Sequence, residues 1–204
     1  HEMKTPLQVI SGSAEMIASG LVDPDDVGEF GRRIYLESQR LRALINDVLT
    51  LSRLDESSFA SAERVPVDML ELVQRTCERL RPLARERGID LDFFGVDLHT
   101  LGNEALLEQA VSNLVENGVR YSDDGGAVGV CVEIDEMSGK PCLAGRVSDD
   151  GIGISEQDRE KIFERFYRTE KSRSKETGGT GLGLAITRSA VLMHRGAIKV
   201  YSKL

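Results

Sequence analysis

The residues best suited to chemistry are Asn113, Asn117 and Arg120, which stand four and then three positions apart and so stack along one edge of a helix. Two amides and a guanidinium in that file offer a carbonyl oxygen to a metal ion and N–H donors to phosphate oxygens. The trio equally suits a solvated helix face, and alone it does not choose between the two. Two glycine-rich stretches add to it. Asp149-Asp150-Gly151-Ile152-Gly153 sets a carboxylate at the end of an alternating strand pattern, followed by glycines that let backbone approach a ligand. By itself this is also an ordinary strand-to-helix turn. Gly178-Gly179-Thr180-Gly181-Leu182-Gly183-Leu184 opens an apolar helix, presenting free N–H groups and the positive end of a helix dipole, which suits phosphate. It is not a Walker loop, because Gly-Lys-Ser/Thr is missing. It is not a dinucleotide fingerprint either, because it follows a polar loop and not a strand.

Periodicity gives the elements that must hold these groups. Residues 104–121 form an amphipathic helix with an apolar stripe at Leu107, Ala110, Val111, Leu114 and Gly118. Glycine inside a helix costs about 1 kcal/mol relative to alanine, so something is expected to pass close to Gly118. Ile89, Leu91 and Phe93 alternate as a strand, after a helix that Asp68 and Glu71 cap and Gly88 ends. Val128, Val130, Val132 and Ile134, then Leu143 and Val147 beyond a turn at Ser138, Gly139 and Pro141, read as a strand hairpin. Ser155 and Asp158 cap a short helix carrying Ile162, Phe163 and Phe166, and alternation at Ala197, Lys199 and Tyr201 predicts a last strand. Upstream, Met3, Leu7, Ile10, Ala14, Ile17 and Leu21 form one helical seam, with Pro6 expected to kink the helix near His1 and Glu2. Ile34, Leu41, Leu44, Val48 and Leu51 form a second seam, beyond a break at Gly20 and Pro24. One hairpin has little core, so a second copy completing a four-helix bundle is expected. Residues 1–55 are expected to form that hairpin, 56–65 a polar linker, and 66–204 a separate domain.

Bulk properties narrow the class. The 204 residues, 40% hydrophobic and 29% charged, are enough for a sizeable core. A net charge of -8 argues against a nucleic-acid partner. No apolar run reaches the ~20 residues of a membrane span. Three cysteines, Cys77, Cys131 and Cys142, have neither metal-ligand spacing nor a disulfide framework and read as reduced core residues. The chain opens on His1 without a start methionine and is expected to be a fragment.

In their order along the chain these stretches resemble the catalytic core of a two-component sensor histidine kinase. His1-Glu2-Met3-Lys4-Thr5-Pro6-Leu7 is similar to the phosphoacceptor motif, and residues 113–121 to the asparagine box. Residues 149–153 match the first glycine box, Phe163 and Phe166 the phenylalanine box, and 179–183 the second glycine box. The resemblance implies an α+β fold: a helical hairpin, half of a dimeric four-helix bundle, followed by a two-layer α/β sandwich of the Bergerat (GHKL ATPase) type. It implies Mg2+ and ATP as cofactors, with His1 as the nucleophile and Glu2 orienting the ring or taking its proton, roles that a neutral imidazole can fill near pH 7. Asn117 is the implied Mg2+ ligand. Asn113 assists at the phosphates, Arg120 faces them, and Tyr121 packs on the nucleotide. Asp149 takes the adenine amine, beside Gly151 and Gly153. Gly179, Thr180, Gly181, Leu182 and Gly183 receive the phosphates under a lid spanning 168–178 that begins at Arg168. Thr5, three residues after Glu2, fits the family's phosphatase pattern, although a threonine bonding its own helical turn would look the same.

The implied partners are a response regulator receiver domain and a second copy of the chain, on the cytoplasmic side. Any anchor in a bacterial inner membrane would be carried by segments outside this chain. The departures are a missing half-helix before His1, a missing final strand, and Gly102-Asn103 where Gly-Asp is common. Related hydrolytic ATPases, the type II topoisomerases and a heat-shock chaperone, carry a glutamate where this chain has Asn113. An amide cannot activate water, which favours transfer to a side chain. A pseudokinase adaptor that binds nucleotide or partner without transfer is the rival reading.

Overall fold

In the computed structural model, residues 3–55, 64–169 and 179–203 are described. The expected hairpin is α1 (Lys4–Ala18) and α2 (Val27–Asp55). Gly20, at φ 68°, ends the first helix in a conformation that favours glycine. The helices pack along one another, with Pro6 and Ser13 of α1 buried. Pro6 lies in the first turn of α1, where its missing N–H removes no bond within the described helix. The Glu2 carbonyl it was expected to clash with lies outside the described residues. The expected first seam is only partly buried. Met3, Leu7 and Leu21 stay on the surface, and with Met16, Tyr35, Leu36, Ile45 and Leu49 they leave apolar side chains 42–74% exposed along the hairpin.

The remainder is layered. After β1 (Val65–Asp68) come α3 (Met69–Glu86), β2 (Asp90–Gly95), β3 (His99–Gly102), α4 (Glu104–Tyr121), β4 (Ala127–Met137), β5 (Lys140–Asp149) and α5 (Gly183–Met193). Strands β2, β4 and β5 form one sheet in that order, with β2 parallel and β5 antiparallel to β4; β1 and β3 pair separately. Alternation along β4 turns Val128, Val130 and Val132 to one face, where Leu72, Val73, Cys77 and Leu80 of α3 and Val115 and Val119 of α4 bury them. Asp68 caps α3 by accepting the Glu71 N–H at 2.9 Å, as its spacing predicted, an interaction of about 1 kcal/mol. The β4–β5 turn is Ser138-Gly139, both at positive φ, the two-residue connection whose twist suits adjacent strands.

Four local expectations are corrected. The buried stripe of α4 is Leu106, Ala110, Val115, Gly118 and Val119, while Leu107, Val111 and Leu114 are half-buried, because α4 packs against the sheet on one side and α5 on another. Ser155 and Asp158 do bond, at 2.7 Å, but only a 3-10 turn, Lys161–Phe163, follows. Phe166 falls outside that turn at φ 63°. The alternation at 197–201 makes no strand: Tyr201 is exposed, and Ser202 instead accepts the Ile154 N–H on its hydroxyl at 2.8 Å and an Arg159 N–H on its carbonyl at 2.6 Å. Finally, β1 and β3 were not foreseen. Cysteines 77, 131 and 142 are free.

Candidate functional site

Helix α4 begins at Asn103, whose side chain accepts the Leu106 N–H at 3.0 Å, so asparagine caps this helix as aspartate would. Its far half carries the candidate groups. Asn113 donates through Nδ2 to the Gly183 carbonyl at 2.9 Å, joining α4 to the first residue of α5. One helical turn along, Asn117 is half-buried and its amide has no hydrogen bond among the described residues. At the end of the helix Arg120 and Tyr121 lie against the second glycine stretch: a methyl group added at Gly179 would stand 3.0 Å from Arg120 Nη1 and 3.9 Å from the Tyr121 hydroxyl. Gly181 holds φ 71° beneath the backbone of Phe166, and Phe166 donates its N–H to the Gly181 carbonyl at 2.9 Å. No side chain fits there without strain.

The first glycine stretch is tied to the same helix end. Ile152 donates to the Tyr121 carbonyl at 3.1 Å, and Ser122 pairs with Gly151. Asp149 is exposed at the end of β5, and its Oδ1 accepts the Gly151 N–H at 3.0 Å, which leaves Oδ2 available. Gly118 explains itself. A methyl there would stand 3.1 Å from Val128 and 3.6 Å from the Asp149 β-carbon, so the missing side chain lets β4 and β5 close on α4.

Sequence reasoning did not find the contact with α2. Leu44 and Leu51 bury against Leu182, Ala185 and Ile186, which puts the helical hairpin directly behind the second glycine stretch. Thr180 donates its hydroxyl to Asp47 Oδ2 at 2.8 Å and accepts the Leu182 N–H at 3.3 Å. Burial, against the pull of the Thr180 hydrogen bond and helped by the nearby Glu116 charge, raises the Asp47 carboxyl above its ordinary value. Beside it, Arg165 Nη2 donates to both carboxylate oxygens of Asp55, at 2.7 and 2.8 Å. The signal was a lone carboxylate inside a leucine seam, at position 47 between Leu44 and Leu51.

The structure therefore brings Asn113, Arg120, Tyr121, Gly179, Thr180, Gly181, Leu182 and Gly183 together, with Gly151 and Ile152 joined to them through Tyr121, Asp149 bonded to Gly151, and Gly153 next in the chain after Ile152. Arg168 is half-buried close to the last described residue before the expected lid, whose residues 170–178 lie outside the described set. Thr5 is exposed on the first turn of α1, and no hydrogen bond or ion pair among the described residues joins α1 to the layered part. His1, Glu2 and linker residues 56–63 also lie outside the described residues.

Comparison with known proteins decides the family. Residues 102–204 match the histidine kinase-, DNA gyrase B- and HSP90-like ATPases, and residues 1–57 match the His Kinase A (phospho-acceptor) domain. The chain belongs to the histidine kinase branch of this ATPase family. It is 38% identical to the sensor-like histidine kinase SenX3 of Mycolicibacterium smegmatis, over all of this chain and 52% of that protein. Among solved structures, the mycobacterial sensor histidine kinase MprB is 35% identical, with a TM-score of 0.55 over 66% of this chain and 82% of that one. Full-length ShkA in complex with AMPPNP is 28% identical, with a TM-score of 0.66 over 95% of this chain and 39% of that one. This histidine kinase core thus spans about half the length of the curated relatives it matches. No helix among its described residues is long and apolar enough to cross a membrane.

Proposed function

We propose that the chain binds Mg-ATP along α4 and transfers the γ-phosphoryl group to His1, for onward transfer to an aspartate of a response regulator. The observation that carries this reading is the meeting of Asn113, Arg120 and Tyr121 with the second glycine box, at a helix end also bonded to the first. Amide, guanidinium and the start of α5 give donors for phosphate oxygens, and Asp149 Oδ2 is an acceptor for an exocyclic amine. Position 113 holds an amide, which cannot activate water for hydrolysis, and this favours transfer to a side-chain nucleophile. His1 supplies it: an N–P bond forms as the bond to the departing ADP oxygen breaks, and Glu2 takes the imidazole proton.

Asn117 fits Mg2+, since its half-buried amide carries no partner among the described residues and a single oxygen ligand suits an ion that keeps most of its waters. When bound, that ion would neutralise charge on the phosphate oxygens. Exposed apolar side chains along α1 and α2 suit a second copy of the chain, closing a four-helix bundle. Membership of a signalling branch and the net charge of -8 favour a receiver domain over nucleic acid as the further partner, on the cytoplasmic side. Incubation with radiolabelled ATP tests the reading. Label on the protein should be acid-labile and alkali-stable, and His1→Gln should remove it while leaving ATP affinity within about twofold. Label that survives in His1→Gln at the wild-type level overturns it.

A further inference from the structure

We infer that Arg87 is a positioning residue for the nucleotide, acting through the last turn of α4; this rests on the ATP reading above. Arg87 caps the far end of α3, next to Gly88 at φ 64°. Its guanidinium leaves α3 and reaches the neighbouring helix. Nη1 donates to the Val119 carbonyl at 2.9 Å and to the Arg120 carbonyl, and Nη2 donates to the Ser122 carbonyl at 3.1 Å and to Asp124 Oδ1 at 2.9 Å. A helix leaves its last carbonyls without intrahelical partners. Here three carbonyls at or just beyond the α4 terminus converge on one cation.

Two consequences bear on the site. Those carbonyls carry the negative end of the helix dipole, next to the place where a triphosphate has to sit. Charge-assisted bonds from Arg87 offset that field without occupying the cleft. The same bonds fix the backbone of residues 119–122, which aims Arg120 and Tyr121 toward Gly179 and sets the Tyr121 carbonyl for the Ile152 N–H. Ser122 closes the arrangement, donating its hydroxyl to the Gly118 carbonyl at 2.7 Å and pairing with Gly151. Arg87 thus stands outside the pocket yet holds the one turn at which the asparagine box and the first glycine box meet. Lysine cannot replace it fully, because one ammonium cannot fork across carbonyls on both sides of a helix end.

Calorimetric titration of the 204-residue chain with Mg-ATP tests this, using Arg87→Met, Arg87→Lys and, as a control, Asp124→Asn, all well below their melting temperatures. Arg87→Met should bind ATP at least about tenfold more weakly, Arg87→Lys should fall between it and wild type, and Asp124→Asn should stay within about twofold. The Ile152 amide resonance should shift in both Arg87 variants before nucleotide is added. A lowered melting temperature with unchanged ATP affinity would make Arg87 structural only and overturn the inference. Should Arg87→Met not fold, Arg87→Lys decides it: wild-type affinity with an unmoved Ile152 resonance overturns it. No ATP binding by the wild-type chain would instead overturn the nucleotide reading.

Discussion

Thr180 of the second glycine box donates its hydroxyl hydrogen bond to Asp47 Oδ2 of α2 at 2.8 Å, so the loop that would receive phosphates is bonded to the hairpin that matches the phospho-acceptor domain. The bond sits on an apolar floor of Leu44, Leu51, Leu182 and Ile186. A carboxylate facing a phosphate loop is electrostatically awkward, and burial makes it more so.

The first prediction uses that awkwardness. With the Asp47 carboxyl raised by burial, the folded chain holds its proton more tightly than the unfolded chain does. The associated stability is fully present below the ordinary carboxylate value and is lost as pH rises through the raised one. Asp47→Asn keeps an oxygen for Thr180 and removes the ionised form. It should therefore melt above wild type at neutral pH, and the gap should close on titration to about pH 4. A gap that widens on acidification contradicts the assignment.

Asp149→Asn should weaken ATP binding by about 1.5–3 kcal/mol, the range for a hydrogen bond to a charged group. Fold and melting temperature should hardly change, because the side chain is exposed and its single described bond, to the Gly151 N–H, remains possible for asparagine. Equal affinities for wild type and variant by calorimetry would take Asp149 out of the adenine site.

Ile186→Ala tests the apolar floor. The side chain is fully buried between α2 and α5, and truncating such a residue costs about 2–5 kcal/mol. Urea unfolding should show that loss. A cost under about 1 kcal/mol would mean that hairpin and glycine box are not packed together.

Thr5→Ala addresses reverse chemistry. Thr5 is solvent-exposed on the first turn of α1, four residues after His1 in the sequence, and a hydroxyl there can place a water in line with a phosphoryl group on a docked receiver. In the full-length kinase the variant should autophosphorylate within a few-fold of wild type while dephosphorylation of the cognate regulator slows greatly. Dephosphorylation at the wild-type rate would leave Thr5 as a helix residue only.

Legibility from sequence followed the strength of local signals. The β4–β5 hairpin was readable because valines alternate up to a Ser-Gly turn, and α3 because Asp68 and Glu71 carry a capping spacing. Gly118 announced a close approach, and Val128 supplies it. Strands β1 and β3 were not readable: four residues each, one with Pro66 and the other ending at Gly102, they exist only because they pair with one another. The segment 197–201 alternated without a partner strand and stayed irregular. Leu44 and Leu51 declared a buried face but not its cover, since a leucine seam fits a glycine-box helix as well as another hairpin. Arg87 was overlooked because nothing local distinguishes an arginine before a terminating glycine from a solvated one.

The parallel pairing of β2 with β4 has a kinetic consequence. Helix α4 lies in the connection between them, β2 ending at Gly95 and β4 starting at Ala127. The α1–α2 and β4–β5 hairpins can form from near neighbours, whereas the asparagine box reaches its place only when a distant strand docks alongside its mate. A chain emerging from the ribosome therefore cannot hold nucleotide until this slow pairing is complete. Once it is, ATP at a hundred times its dissociation constant would add about 2.7 kcal/mol to the native state, so the cell's own nucleotide pool would act as a ratchet on the final folding step.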